Sequence, residues 1–316
     1  MLFRSPTQLQ TRTSGATVAL GYGACALAGT LWGTGFYFGK IALTRMSVGH
    51  MVFYRFLFAS LGLLPALMVR PRRPGFNGKE WGILLLASFL GIPVQFLLQF
   101  YGLSLTTVSH AALMVGTMPV ILALGATIFM HERLDWRGWL ALAGSTAGVA
   151  LITLSGTQGH TANGPTLTGD LLVVLSLVIA LGWILLNRHL LHGHSARVVT
   201  TYGTISGMLM LVVWVAIVDG PPPVHGVEAR VWVALICGGL LCTAATTFLW
   251  NWGIHRVPAS RAGVFLNIEP ALGSILGVEL LGDRLGPGAW LGGALIIAAA
   301  VVLTTTGRVD AELVME

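Results

Sequence analysis

The chain has 316 residues, of which 55% are hydrophobic and only 9% charged, and its mean hydropathy is +0.80. A soluble globular chain carries about 25% charged residues, so this one lacks the polar surface to coat a water-facing domain of its size and is expected in a lipid bilayer. Its net charge of +6 comes from Arg and Lys in short loops between apolar blocks, which reports membrane orientation and predicts no nucleic-acid partner, and no hydrophilic stretch reaches the roughly 50 residues of a small extramembrane domain.

A polar, basic stretch with Arg4 and Arg12 precedes the first apolar run. That run continues past the roughly 7 to 15 residues of a secretory-signal core and is expected to remain as a spanning helix. A crossing needs about 20 mainly apolar residues, and ten such blocks follow in chain order, at 18–38, 48–69, 81–101, 109–130, 136–154, 169–186, 198–218, 231–252, 262–281 and 290–306. With these numbered as spans 1 to 10, every Lys and Arg falls on the side of the two termini except Lys40, Arg45, Arg230, Arg284 and the mid-span Arg55. Positive loops stay cytoplasmic, so both termini are expected in the cytoplasm and the protein in the inner (cytoplasmic) membrane. An odd count of spans would scramble that bias. Cys25, Cys237 and Cys242 lie in apolar runs without CxxC spacing and read as small buried hydrophobes.

The two halves register at an offset of 151 residues, without a gap over spans 3 to 5 against 8 to 10. Gly102 meets Gly253, Ser109 meets Ser260, Ala111 meets Ala262 and Pro119 meets Pro270. Glu132-Arg133-Leu134 meets Asp283-Arg284-Leu285, Trp139-Leu140 meets Trp290-Leu291, Thr153 meets Thr304, and Trp32 falls on Trp183. Five spans per half force the second copy to enter the membrane from the opposite side. The expected fold is therefore an all-α membrane protein of ten transmembrane helices in two inverted five-helix repeats around a central cavity. Its segments are a cytoplasmic tail 1–17, a first repeat 18–154, a periplasmic linker 155–168, a second repeat 169–306 and a cytoplasmic tail 307–316. Inverted repeats are characteristic of secondary transporters, in which substrate sits at the midplane and access alternates; the competing reading is a protein duplicated for architecture alone.

Trp32-Gly33, Arg55-Phe56, the stretch from Pro119 to the Glu132-Arg133-Leu134 turn, and Asn267-Ile268-Glu269-Pro270 with Asp283-Arg284-Leu285 together resemble the ten-helix drug/metabolite transporters of the EamA type. The resemblance covers about residues 18–306 and includes the aromatic amino acid exporter branch. It implies a basket of two five-helix halves in which the first, third and fourth helix of each half line the cavity. It also implies transport of amino acids, other metabolites or drugs, often outward. One departure is Asp283, where the family usually has Glu, a conservative change at a loop anchor. An Arg-Phe pair in span 2 is typical of the family, which implies a structural role for Arg55.

Glu269 lies seven residues into span 9, about 10 Å below the cytoplasmic edge, where an ionised carboxylate needs compensation. It either recognises a cation or proton, or caps backbone freed by Pro270. Gln95 and Gln99 share one face of span 3, beside Pro93, and line the cavity or bond between helices. Trp32 and Phe36 of span 1, Trp183 and Asn187 of span 6, and Thr246 and Trp250 of span 8 provide aromatic walls with sparse polar anchors. The resemblance adds Met114 of span 4 and Asn267 of span 9. His110, at the outer start of span 4, gates or couples transport or is an interfacial polar residue. Trp81, Trp136, Trp139 and Trp290 fit the interfacial belt. Gly29-Gly33, Gly35-Gly39, Gly144-Gly148, Gly273-Gly277 and Gly288-Gly292 read as helix-packing surfaces.

No Walker A loop or HExxH motif occurs, so ATP-driven pumping and zinc hydrolysis are not expected. His189, His192 and His194 read as a solvated loop without carboxylate or thiolate partners. No cofactor or metal site is expected, and the partners are a small-molecule substrate and the bilayer; a monomer suffices. The reading is a secondary transporter moving small metabolites outward, first among them amino acids with bulky apolar or aromatic side chains. The alternatives are an exporter of cationic drugs or other metabolites, and a membrane-embedded enzyme or scaffold.

Overall fold

The computed structural model describes residues 15–68, 75–130, 136–156, 165–191, 193–254 and 263–306. The terminal tails, most of the 155–168 linker and the Glu132-Arg133-Leu134 triplet lie outside the described residues. Among the described residues the secondary structure is entirely helical. Six helical stretches there are long and apolar enough to cross a membrane: Val48–Ala66, Gly78–Leu105, Val108–Phe129, Leu167–Leu191, Arg197–Asp219 and Ala229–Trp250; Pro287–Val302 is a shorter apolar helix. Large side chains such as Ile128, Phe129, Leu140, Ile217 and Phe248 stand exposed, an apolar exterior that requires lipid rather than water around it.

The first expected span is longer than its hydropathy and interrupted. It comprises α1 (Gly15–Gly33) and α2 (Gly35–Leu43), broken at Thr34 between two glycines, whose hydroxyl donates to Leu31 O at 2.7 Å. Next, α3 (Val48–Leu63) starts on Ser47, whose side chain accepts from His50 N, and ends in a 3₁₀ turn, Leu64–Met68. The third span opens three residues earlier than expected because Asn77 and Glu80 form a capping box on α4 (Gly78–Phe89). Proline 93 has no N–H to give the preceding turn, and the chain widens there into a π turn, Leu90–Val94, before α5 (Gln95–Leu105). The fourth span splits into α6 (Val108–Val115) and α7 (Met118–Met130) just before Pro119.

Then come α8 (Trp136–Gly156), α9 (Leu167–Leu191) and α10 (Ala196–Trp214), the last closed by a π turn at Val215–Asp219. A second internal π turn, Leu240–Ala245, joins α11 (Ala229–Gly239) to α12 (Thr246–Ile254). A 3₁₀ turn at Gly263–Asn267 leads into α13 (Ile268–Leu281), and α14 (Pro287–Thr306) follows, with Pro287 at the first helical position, where a missing N–H costs nothing.

Small residues set the closest helix contacts. A Cβ on Gly148 would lie 2.6 Å from Gly292 O, and one on Gly292 2.5 Å from Gly148 O, so α8 and α14 touch backbone to backbone. Gly29 and Gly33 admit α13 in the same way, and Gly273 admits Ala112. Of the expected glycine pairs, only Gly144 faces open space. The main core gathers Phe36, Met51, Val52, Phe100, Leu103 and Met114 between α2, α3, α5 and α6.

Two groups of contacts tie the helix ends together. In one, Arg45 pairs with Glu228 at 2.5 Å, Tyr54 donates to Pro223 O at 3.0 Å and Thr166 N donates to Leu105 O at 3.2 Å. In the other, Glu80 meets His194 at 3.2 Å, and Phe76 packs among Trp81, His194 and Tyr202. His194 therefore has the carboxylate partner that its sequence neighbours do not supply, because Glu80 reaches it across the fold. Among the described residues no group of three or more His, Cys, Asp or Glu could hold a metal ion.

Candidate functional site

The middle of the bundle holds one buried cation. Arg55, on α3, is buried, and a guanidinium in such a place must be paired or hydrogen-bonded. Its Nε donates to Thr243 Oγ1 at 3.0 Å and its Nη2 to Cys242 O at 3.4 Å. Both acceptors belong to the π turn between α11 and α12. Thr243 Oγ1 also donates to Gly238 O, five residues back, at 3.0 Å, so one hydroxyl stitches the widened turn and receives the arginine. The guanidinium carbon lies 5.5 Å from the Phe96 ring centre and 5.3 Å from that of Phe100, neighbours four apart on α5, within cation–π range. Gly35 makes room for the fork, since a Cβ there would meet Nη2 at 3.4 Å.

Glu269, the second residue of α13, lies near enough to interact with this arginine as an opposite charge. It is half-buried, and among the described residues no hydrogen bond engages its carboxylate. Gly33 brings its backbone close: a Cβ on Gly33 would lie 3.1 Å from Glu269 O. Two further ring pairs occur on these elements. Trp32 meets Trp250 at 5.5 Å between ring centres, and Phe36 meets Phe100 at 6.2 Å. Cys242 Sγ lies 3.2 Å from Thr34 Oγ1, at the break between α1 and α2. The arrangement offers a fixed cation, an unengaged carboxylate and apolar walls, the elements of a site for a small solute with separated charges.

Of the residues expected to line a cavity, Glu269 interacts with Arg55 as an opposite charge, Phe36 meets Phe100 beside it, and Trp32 pairs with Trp250. Thr246 is fully buried and its hydroxyl donates to Thr243 O at 3.0 Å, so it supports the π turn. Gln95 is half-buried directly after the Pro93 turn and Gln99 is buried on the same helix. Met114 has no accessible surface and belongs to the core. Asn267 ends the 3₁₀ turn before Glu269 and is half-buried. Trp183 packs its indole on Gly91, where a Cβ would collide with it, and remains 37% exposed; Asn187, one turn on, is half-buried. His110 is buried, with Nδ1 3.1 Å from Asp170 Oδ2.

Sequence reasoning gave Arg55 a structural part and did not name Phe96, Phe100 or Asp170. Phe96 and Phe100 repeat the four-residue spacing of Gln95 and Gln99, a legible sign of a second functional face. Asp170, an acid in the first turn of α9, reads from sequence only as a helix-end charge.

A family model described as the EamA-like transporter family matches the chain twice, at residues 19–154 and 167–305. The uncharacterized transporter YetK of Bacillus subtilis is 23% identical over 283 residues, covering 89% of this chain and 86% of that protein. A probable terminal-alkyne amino-acid exporter of Streptantibioticus cattleyicolor is 25% identical over 292 residues, covering 90% of this chain and 94% of that one. A protein of known crystal structure shares the fold, with a TM-score of 0.62 at 18% identity over 93% of this chain and 98% of its own.

Proposed function

The chain belongs to the EamA-like transporter family, and from that premise we propose that it carries amino acids with bulky apolar or aromatic side chains outward across the inner membrane. It does so by alternating access between two inverted five-helix repeats. The observation that carries the substrate reading is Arg55 bonded to Thr243 and Cys242 and stacked on Phe96 and Phe100, with Glu269 as its opposite charge and Phe36 against Phe100. An α-carboxylate suits the guanidinium, an α-ammonium suits the carboxylate, and the side chain suits the rings. The exporter name of one relative supports the same class.

Several features support the inverted repeat of ten spans. The family model fits each half separately. The 151-residue offset sets the π turn at Leu90–Val94 against that at Leu240–Ala245, and the breaks before Pro119 and Pro270 against each other. Helix pairing has the matching two-fold pattern: α5 on α9 answers α12 on α1, α4 on α10 answers α11 on α3, and α7 on α9 answers α13 on α1. The pairs α3–α10 and α8–α14 map onto themselves. Excess positive charge on the terminal side supports cytoplasmic termini.

The test is counterflow in proteoliposomes across a panel of labelled amino acids, cationic drugs and other metabolites. Exchange of phenylalanine-like or leucine-like substrates above the rest is the expected result. Exchange of organic cations alone would transfer the site to the cationic-drug reading, with Glu269 as its charge partner, and absence of exchange for every solute would reject a carrier.

A further inference from the structure

The turn between α5 and α6, residues 103–110, is gripped by three charged side chains from three other elements. Lys40, on α2, donates through Nζ to Leu103 O at 2.8 Å and Thr106 O at 2.6 Å. Asp170, on α9, accepts from Thr106 Oγ1 at 2.6 Å on one oxygen and lies 3.1 Å from His110 Nδ1 on the other. Asp283, after α13, accepts from Ser109 N at 2.8 Å and Ser109 Oγ at 2.9 Å on a single oxygen. Its approach depends on Gly282, whose φ of +72 reverses the chain at the helix end. Thr106, Ser109, His110 and Asp170 are all buried.

The 151-residue offset carries this turn to residues 254–261 of the sequence. There the sequence supplies Leu191 for Lys40, Ala19 for Asp170, Val257 for Thr106 and Arg261 for His110. Of the three charged grips, the sequence keeps residues of the same type at the equivalent positions for one alone, with Glu132 for Asp283 and Ser260 for Ser109. Two copies of one fold would close their two mouths with equal strength if their contacts were equal, and the sequences of the two turns are not equal.

We propose that the α5–α6 turn is the outer gate, that Lys40, Asp170 and Asp283 clamp it shut, and that the substrate-free carrier consequently rests closed toward the outside. The proposal rests on the alternating-access reading and on the cytoplasmic placement of the termini. It makes substrate binding from the cytoplasm the event that must loosen the clamp, which favours export.

Cys242 is a native reporter, because it is buried beside Arg55 and Thr34 and a reagent reaches it only through an opened mouth. With Cys25→Ser and Cys237→Ala as background, its reaction with a membrane-impermeant maleimide is timed from each face, in right-side-out and inside-out vesicles, with no substrate present. The expected result is reaction from the cytoplasmic face, with Lys40→Met and Asp283→Asn each raising outer-face reaction about tenfold or more, as loss of hydrogen bonds to a charged group implies. Ser109→Ala, which removes only a hydroxyl, gives a smaller rise in the same direction and serves if a charge variant fails to fold. Equal reaction from both faces in the background protein overturns the proposal. So do outer-face rates unchanged in Ser109→Ala and in whichever charge variants reach the membrane at normal levels. A mirror-image result, together with an N-terminal tag digested from outside, overturns the orientation and with it the outer gate. Failure of amino-acid counterflow alone leaves these rates untouched.

Discussion

The two internal π turns occupy equivalent places in the two halves and do different work. In the first, Pro93 explains the widened geometry, and the turn's neighbour is Trp183 packed on Gly91. In the second there is no proline, and Thr243 takes its place by bonding Gly238 O while accepting from Arg55. The charges diverge as well: the offset sets Ser206 against Arg55 and Met118 against Glu269. Each half thus carries one charge that the other half lacks. On the proposed reading the two halves share their bend points and differ in the charges they offer a ligand with two unlike ends.

The comparison breaks first at Arg55. Arg55→Met leaves Glu269 without its counter-charge and Thr243 Oγ1 and Cys242 O without their donor. Counterflow rates are expected to fall by about two orders of magnitude or more. Glu269→Gln keeps the shape and removes the charge; a loss of about tenfold or more is expected, with rates that no longer vary with pH in a series of buffered proteoliposomes. Thr243→Ala removes a hydroxyl from the second π turn and an acceptor from Arg55, at a cost of about 1–3 kcal/mol. Its melting temperature in detergent should drop, whereas Ile92→Ala, at the equivalent place in the first turn, should lose only packing and leave substrate affinity unchanged. The smallest effects lie in the glycine pair of α8. Gly148→Ala drives a methyl toward Gly292 O and should destabilise by about 1–3 kcal/mol. Gly144→Ala meets open space and should stabilise by about 0.5–1 kcal/mol in the same thermal assay.

Membrane residence, the duplicated half and the glycine contacts were legible in the sequence because each depends on local composition or on a fixed offset. Helix ends were less so. Hydropathy stops at Phe38 although the helix runs on to Leu43, since Lys40 is polar in sequence but finds carbonyl acceptors 63 and 66 residues away. The site was legible in part. Trp32, Trp250 and Glu269 announce themselves as large rings and a carboxylate in apolar runs, but Arg55 acquires its role from acceptors 187 and 188 positions along the chain. His110 likewise finds its buried partner, Asp170, 60 positions on.

The central claim is that one ligand bridges the unlike charges given by the two halves. Its most direct test is competition in counterflow among a zwitterionic amino acid, the amine that lacks its carboxylate and the acid that lacks its ammonium, all with the same aromatic side chain. The account predicts that the zwitterion alone competes well and that both truncated compounds lose most of their affinity. An amine that competes as strongly as the parent amino acid would contradict it, since Arg55 would then have no ligand to hold.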